Sequence, residues 1–117
     1  MVAWLYDDRL PDPEREADDS GLVALGGTLR PELLLRAYGR GLFPWSSDPV
    51  LNWWSPDPRA IFDLASFRTH RSVRQSARRA GWRFSIDSAF DEVMRRCQEE
   101  TEERPSTWIT DDFVAAY

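Results

Sequence analysis

Flat aromatic side chains give this sequence its clearest chemical capacity. Tyr38, Trp45, Trp53, Trp54, Trp108 and Tyr117 fall on or beside segments that read as loops or helix ends. Rings so placed can sandwich a nucleobase, a contact that contributes about 1–3 kcal/mol per base. They can equally plug a Trp-rich core, and for Trp53 and Trp54 the core is the expected place. A second set is basic: Arg68, Arg71, Arg74, Arg78, Arg79 and Arg83 lie between Leu64 and Ile86, where no acidic residue occurs. Arg71, Arg74 and Arg78 are spaced to share one helix stripe. Such a stripe either pairs with RNA phosphates, each contact adding salt dependence, or stays a solvated face. Stacking rings beside a basic helix would suit the end of a nucleic acid better than its helical body.

Other chemistries are thinly supplied. Gly26-Gly27 is too little for a phosphate loop, and no G-x-S-x-G elbow occurs. His70, the only histidine, sits in the Arg-rich helix and is expected at its surface or cap rather than as a base. Cys97, the only cysteine, lies on the apolar face of a helix and reads as an inert core thiol. A lone cysteine excludes an internal disulfide and fits a reducing cytoplasm. One Cys and one His also argue against a thiolate–imidazole zinc site. No pair of carboxylates has a diagnostic spacing. The residues therefore assign no catalytic group and no metal.

All fifteen basic side chains are Arg, and the net charge is −5, with the acids gathered at Asp7–Asp19 and Glu99–Glu103. That balance argues against generic nucleic-acid binding but leaves a basic island in an acidic chain. With 117 residues, 42% of them hydrophobic, a core can form in a single domain or in one small domain joined to part of another. No apolar run approaches the roughly 20 residues that span a bilayer. The opening MVAWLYDDRLPDPER lacks a signal-peptide pattern.

The elements that must position these residues follow from periodicity and breakers. Residues 1–20 read as an extended, partly mobile entry. GLVALGG (Gly21–Gly27) reads as a short strand or turn, and PELLLRAYG (Pro31–Gly39) as a helix with Pro at its first position and Gly39 or Gly41 at its end. Arg30 is a poor N-cap, so packing is expected to hold that helix. Tyr38–Phe62, with four prolines and three tryptophans, reads as an ordered, aromatic-walled loop with short extended pieces. Ala60–Leu64 and the alternating Trp82–Ile86 are expected strands. Between them a helix should run from Ser66 or Thr69 to Ala80. Asp87 is expected to cap a helix over SAFDEVMRRCQEE, and Thr110 to cap the last one, which runs to Tyr117 with no closing glycine or breaker. The sequence is therefore expected to belong to something longer.

Together these residues resemble the bacterial leucyl/phenylalanyl-tRNA–protein transferases. The likeness rests on GLVALGGTLRPELLLRAYGRGLFPWSSDPVLNWWSPDPRAIF, with FPW (Phe43–Trp45), WWSPDPRA (Trp53–Ala60) and TWIT (Thr107–Thr110) in order, preceded by LPDPE. R-S-V-R-x-x-x-R-R and the final A-A-Y also fit. The resemblance implies an α+β fold: a small N-terminal α+β domain (residues 1–62) followed by an incomplete GNAT-like acyltransferase domain (residues 63–117). It implies a cytoplasmic, monomeric enzyme that uses no metal or organic cofactor. Such enzymes move Leu or Phe from aminoacyl-tRNA to the N-terminal Arg or Lys of acceptor proteins, marking them for N-end-rule degradation. By matching motifs, Tyr38, Trp45, Trp108 and Tyr117 would line the aminoacyl-adenosine pocket. Arg68, Arg71, Arg74, Arg78 and Arg79 would face tRNA. Family members are about twice as long, and a D-C-Q motif in their other half supplies the proposed catalytic Asp and Gln. This stretch is therefore expected to present substrate without transforming it. The alternative from another class is a non-catalytic RNA 3′-end or adenosine-binding remnant. A third expectation is a truncated product that fails to fold stably.

Overall fold

A computed structural model describes residues 2–46 and 49–117; Ser47 and Asp48, inside the Trp/Pro-rich stretch, lie outside the described residues. The elements in chain order are β1 (Ala3–Leu5), α1 (Pro13–Glu16), β2 (Leu22–Gly26), α2 (Pro31–Tyr38), β3 (Phe43–Pro44), β4 (Asn52–Trp54), α3 (Arg71–Arg79), α4 (Phe90–Gln98) and α5 (Asp111–Ala116). The strands form one sheet in the order β1-β2-β4-β3, giving an α+β arrangement. β1 runs parallel to β2, and β4 is antiparallel to both β2 and β3.

The N-terminal segment corrects the expectation of a mobile entry. β1 pairs Ala3 with Ala24 and Leu5 with Gly26, and Leu10 is buried in the core. Three arginines from the next part of the chain tie it down: Arg30 pairs with the Asp8 carboxylate, Arg36 donates to the Asp8 carbonyl, and Arg40 donates to the Leu10 carbonyl at 2.9 Å. Arg30 is the N-cap of α2 but makes no capping bond there. Pro31 at the first helical position and the buried Leu33, Leu34 and Ala37 hold the helix instead.

Trp53 is fully buried at the centre of the sheet, opposite Ala24 on β2 and Pro44 on β3, and its Nε1 donates to the Gly26 carbonyl at 2.9 Å. Trp54 points to the other face and is half-buried. Pro44 is tolerated because β3 is an edge strand and needs no outward donor. GLVALGG and WWSPDP are locked together at Gly21. Its φ is +89°, and a Cβ there would stand 2.5 Å from the Pro56 Cα.

Two helices end as their glycines foretell. After α2, Leu42 N–H donates to Ala37 O and Gly41 N–H to Tyr38 O, each 2.9–3.0 Å, with Gly41 at φ +76°. That is the Schellman arrangement, and it turns the chain from Tyr38 directly into Phe43-Pro44-Trp45. Gly81 closes α3 in the same way. α3 starts at Arg71, with His70 as the N-cap whose Nδ1 accepts from Ser72 N–H. α4 begins at Phe90 rather than at an Asp87 cap, because Asp87 takes a left-handed conformation (φ 54°) and Ala89 becomes the N-cap.

The strands expected at Ala60–Leu64 and Trp82–Ile86 do not form. A strand needs a neighbour to satisfy its backbone groups, and none of the described strands lies beside either segment. Their apolar side chains stay exposed: Ile61, Phe62, Leu64, Trp82, Phe84 and Ile86. From Trp54 to Asp112 no described residue is buried, and Cys97 is only half-buried. Burial resumes at Phe113 of α5, which joins the core of Leu5, Leu33, Leu34, Leu42 and Trp53.

Candidate functional site

Each aromatic residue of the expected site is delivered by a different local device. Tyr38 is the last residue of α2, fixed by the Gly41 closure just described. Trp45 follows β3, and its N–H donates to the Asn52 carbonyl at 3.1 Å, so the ladder between β3 and β4 carries its backbone. Trp108 stands in a loop pinned by its neighbour. The Thr107 hydroxyl donates to Cys97 O at 3.4 Å and accepts from Ile109 N–H at 3.2 Å. Tyr117 follows α5, one helical turn after Phe113.

The structure brings these four side chains together. The Tyr38 and Tyr117 hydroxyls are 2.6 Å apart, with their rings edge to face at 6.1 Å. Trp45 and Trp108 lie 6.1 Å apart at 35°. The two pairs meet through Phe113, which is edge-on to Trp108 at 5.1 Å and stacked with Tyr117 at 6.4 Å. All four expected residues remain partly open, at 51% (Tyr38), 52% (Trp45), 40% (Trp108) and 41% (Tyr117). Their ring faces and edges are therefore available to a further flat group. Partial burial and the hydrogen bond with Tyr38 push the Tyr117 phenol well above its usual range, so it stays protonated at neutral pH.

Three residues that sequence reasoning passed over belong to this cluster. Phe113 is its centre. Phe43 lies 6.0 Å from Trp45, and Arg59 covers the Phe43 ring at 5.4 Å while donating to Gly41 O at 2.7 Å. Arg59 therefore clamps the WWSPDPRA motif onto the closure of α2, and the stacking over Phe43 is a cation–π contact. Its place inside that motif was the available signal.

The basic residues lie on and just before α3. Arg71, Arg74, Arg78 and Arg79 are exposed on α3, and Arg68, just before it, donates to the Ala65 and Phe67 carbonyls. None of these arginines forms an ion pair or a cation–π contact among the described residues. An open, largely apolar cleft of about 510 Å³ lies between Gly27–Pro31, Leu51 and Asp112, Ala115 and Ala116 of α5; none of the four aromatic residues lines it. Among the described residues no group of three or more His, Cys, Asp or Glu side chains is placed to hold a metal. No described helix is long and apolar enough to cross a membrane.

Fold and site together define an α+β protein with a half-open aromatic cluster, a surface suited to stacking against flat rings. A sequence model of the leucyl/phenylalanyl-tRNA protein transferase matches residues 61–117, and one of that protein's N-terminal domain matches residues 27–57. The chain is 48% identical over 102 residues to the leucyl/phenylalanyl-tRNA–protein transferase of Shewanella denitrificans, covering 86% of this chain and 42% of that protein. The enzymes of the same name from Shewanella putrefaciens and Anaeromyxobacter sp. (strain K) are also 48% identical, over 92% of this chain and 46% of theirs. This chain belongs to the leucyl/phenylalanyl-tRNA–protein transferase family. It spans less than half the length of these relatives.

Proposed function

We propose that the chain is part of an enzyme that moves Leu or Phe from aminoacyl-tRNA to the N-terminal Arg or Lys of acceptor proteins, tagging them for N-end-rule degradation in the cytoplasm. The observation that carries this reading is the aromatic cluster. Tyr38, Trp45, Trp108 and Tyr117, distant in sequence, converge through Phe113 into one half-open wall in a chain of the transferase family. In this reading the wall takes the 3′-terminal adenosine and the aminoacyl side chain. The exposed arginines Arg68, Arg71, Arg74, Arg78 and Arg79 meet tRNA phosphates.

The reaction is direct aminolysis. The acceptor α-amine attacks the ester carbonyl, the new C–N bond forms as the C–O bond breaks, and the terminal ribose hydroxyl leaves with the proton the amine gives up. No charged side chain is buried among the described residues. In this reading the stretch presents the aminoacyl ester, and removal of the amine proton falls to the further length that the relatives possess. Residues 1–62 act as the N-terminal domain and residues 63–117 open a GNAT-like acyltransferase domain. The enzyme works as a monomer without metal or organic cofactor.

The half-open aromatic cluster also fits a second reading, an adenosine or RNA 3′-end binding surface without catalysis. Tryptophan fluorescence titrated with puromycin tests the shared element. Saturable quenching is expected, and no change at millimolar puromycin would remove the pocket from both readings. Labelled Phe-tRNA with an Arg-starting peptide separates presentation from catalysis. No transfer is expected from these 117 residues, and appreciable transfer would place the chemistry within them. Replacing Arg71 and Arg74 by Glu should weaken tRNA binding and flatten its log–log salt slope by about 0.7–0.9 per lost contact. An unaltered slope would leave α3 as a solvated face.

A further inference from the structure

We infer that Phe113 is the positioning residue of the aromatic site: its buried ring fixes where Trp108 and Tyr117 stand relative to Trp45 and Tyr38. The inference rests on the binding reading above for its functional meaning, but its geometry stands by itself. Trp108 and Tyr117 arrive on the loop and short helix that follow a stretch in which nothing is buried. α5 has six residues and no side-chain cap, so it has little means of holding its own shape. Its one buried residue is Phe113, a member of the same core cluster as Leu33, Leu34 and Ala37 of α2 and Leu42 after it.

That single ring meets both walls. Its edge-to-face geometry with Trp108 (5.1 Å, 87°) and its stacking with Tyr117 (6.4 Å, 18°) are contacts of different geometry. Beside it, Ala116 packs against the core, and the Tyr38 and Tyr117 hydroxyls form a hydrogen bond between the end of α2 and the end of α5. Both hydroxyls belong to half-exposed side chains and can exchange this bond for water at little net cost. A hydroxyl bond also leaves a ring free to turn about it. Ring orientation must come from packing, and Phe113 supplies it. An aliphatic side chain of similar size would fill the core but offer no aromatic ring to stack with Tyr117 or to meet Trp108 edge to face.

The test compares Phe113→Leu and Phe113→Met with Leu10→Ala, which cuts the same core beside α1, away from α5. Two signals are read. One is the exciton couplet of the Trp45–Trp108 pair in circular dichroism, isolated as the component that Trp45→Phe abolishes. The other is the puromycin Kd from tryptophan quenching. Both Phe113 variants should shrink the couplet and raise the Kd about tenfold, the scale of one lost aromatic contact. Leu10→Ala should lower the melting temperature while leaving couplet and Kd unchanged. Wild-type couplet and Kd in both Phe113 variants would overturn the inference, as would an equal loss in Leu10→Ala. If the unaltered protein fails to bind puromycin while the Phe113 variants still lose the couplet, the binding reading falls and the positioning role stands.

Discussion

The apolar LVALG of β2 and the alternating WRFSI at Trp82–Ile86 are both pentapeptides with strand-like patterns, yet only the first is a strand. β2 lies between β1 and β4 and buries Val23 and Ala24, whereas the second segment has no described strand beside it and leaves Phe84 91% exposed. The helices repeat the contrast. α2 and α3 are closed by the same glycine motif, but α2 buries three residues and α3 none. Local signals decide where an element starts and stops. Neighbours decide whether it becomes structure with a core. The aromatic cluster sits where the uncored stretch returns to the core at Phe113.

The largest effect should come from removing the centre of the cored part. Trp53→Ala deletes a fully buried indole and its bond to Gly26, and should cost about 3–5 kcal/mol by urea unfolding. Trp82→Ala, an equal truncation in the uncored part, should change stability by no more than about 0.5 kcal/mol. Equal losses would show that the two parts share one core. Next in size is Gly21→Ala. The φ of +89° and the 2.5 Å approach of a Cβ to the Pro56 Cα leave no room for accommodation, and a loss of about 2–3 kcal/mol is expected. A milder loss would mean that WWSPDP can move away from β2.

Much of this was legible in the sequence, for identifiable reasons. Pro31 and Gly41 bracket α2 because each residue type has a backbone conformation the helix end needs. Tyr38, Trp45, Trp108 and Tyr117 could be named from motifs that fix their local settings. Their meeting through Phe113 could not, because Phe113 looks like any apolar residue on an amphipathic helix. The N-terminal strand was missed for a related reason. Its charged, Pro-containing sequel reads as a tail, while the groups that anchor it, Arg30, Arg36 and Arg40, lie far along the chain. The strands at 60–64 and 82–86 failed for want of partners, which periodicity does not record.

A smaller effect concerns the loop that carries Trp108. Thr107→Val keeps the shape of the side chain but removes the hydroxyl that joins Cys97 O to Ile109 N–H. A loss of about 1 kcal/mol is expected. Because Ile109 packs on the core, the loss should appear in the main unfolding transition. Its absence there would assign the TWIT loop to the uncored part.

The smallest effect uses the same device once in each part. Asp18 holds the turn into β2 by accepting from the Ser20 hydroxyl at 2.6 Å and from Ser20 and Leu22 N–H, and these bonds lower its pKa. Asp63 likewise caps its own turn, with Ser66 and Ala65 holding its carboxyl below the usual range. A carboxyl whose pKa is depressed by folding stabilises the folded state above its unfolded value, 3.8 for both groups, and loses that contribution as pH falls through the folded value. For Asp18 the loss should be felt by the sheet, since Leu22 belongs to β2. Asp18→Asn should therefore lower the urea midpoint slightly at neutral pH and narrow its fall as pH drops below the unfolded value of 3.8. Asp63→Asn should leave the midpoint at both pH values where it was, because no buried residue depends on that turn. If Asp63→Asn moves the midpoint as far as Asp18→Asn does, the stretch after Trp54 unfolds together with the sheet, and the contrast between a cored and an uncored part is wrong.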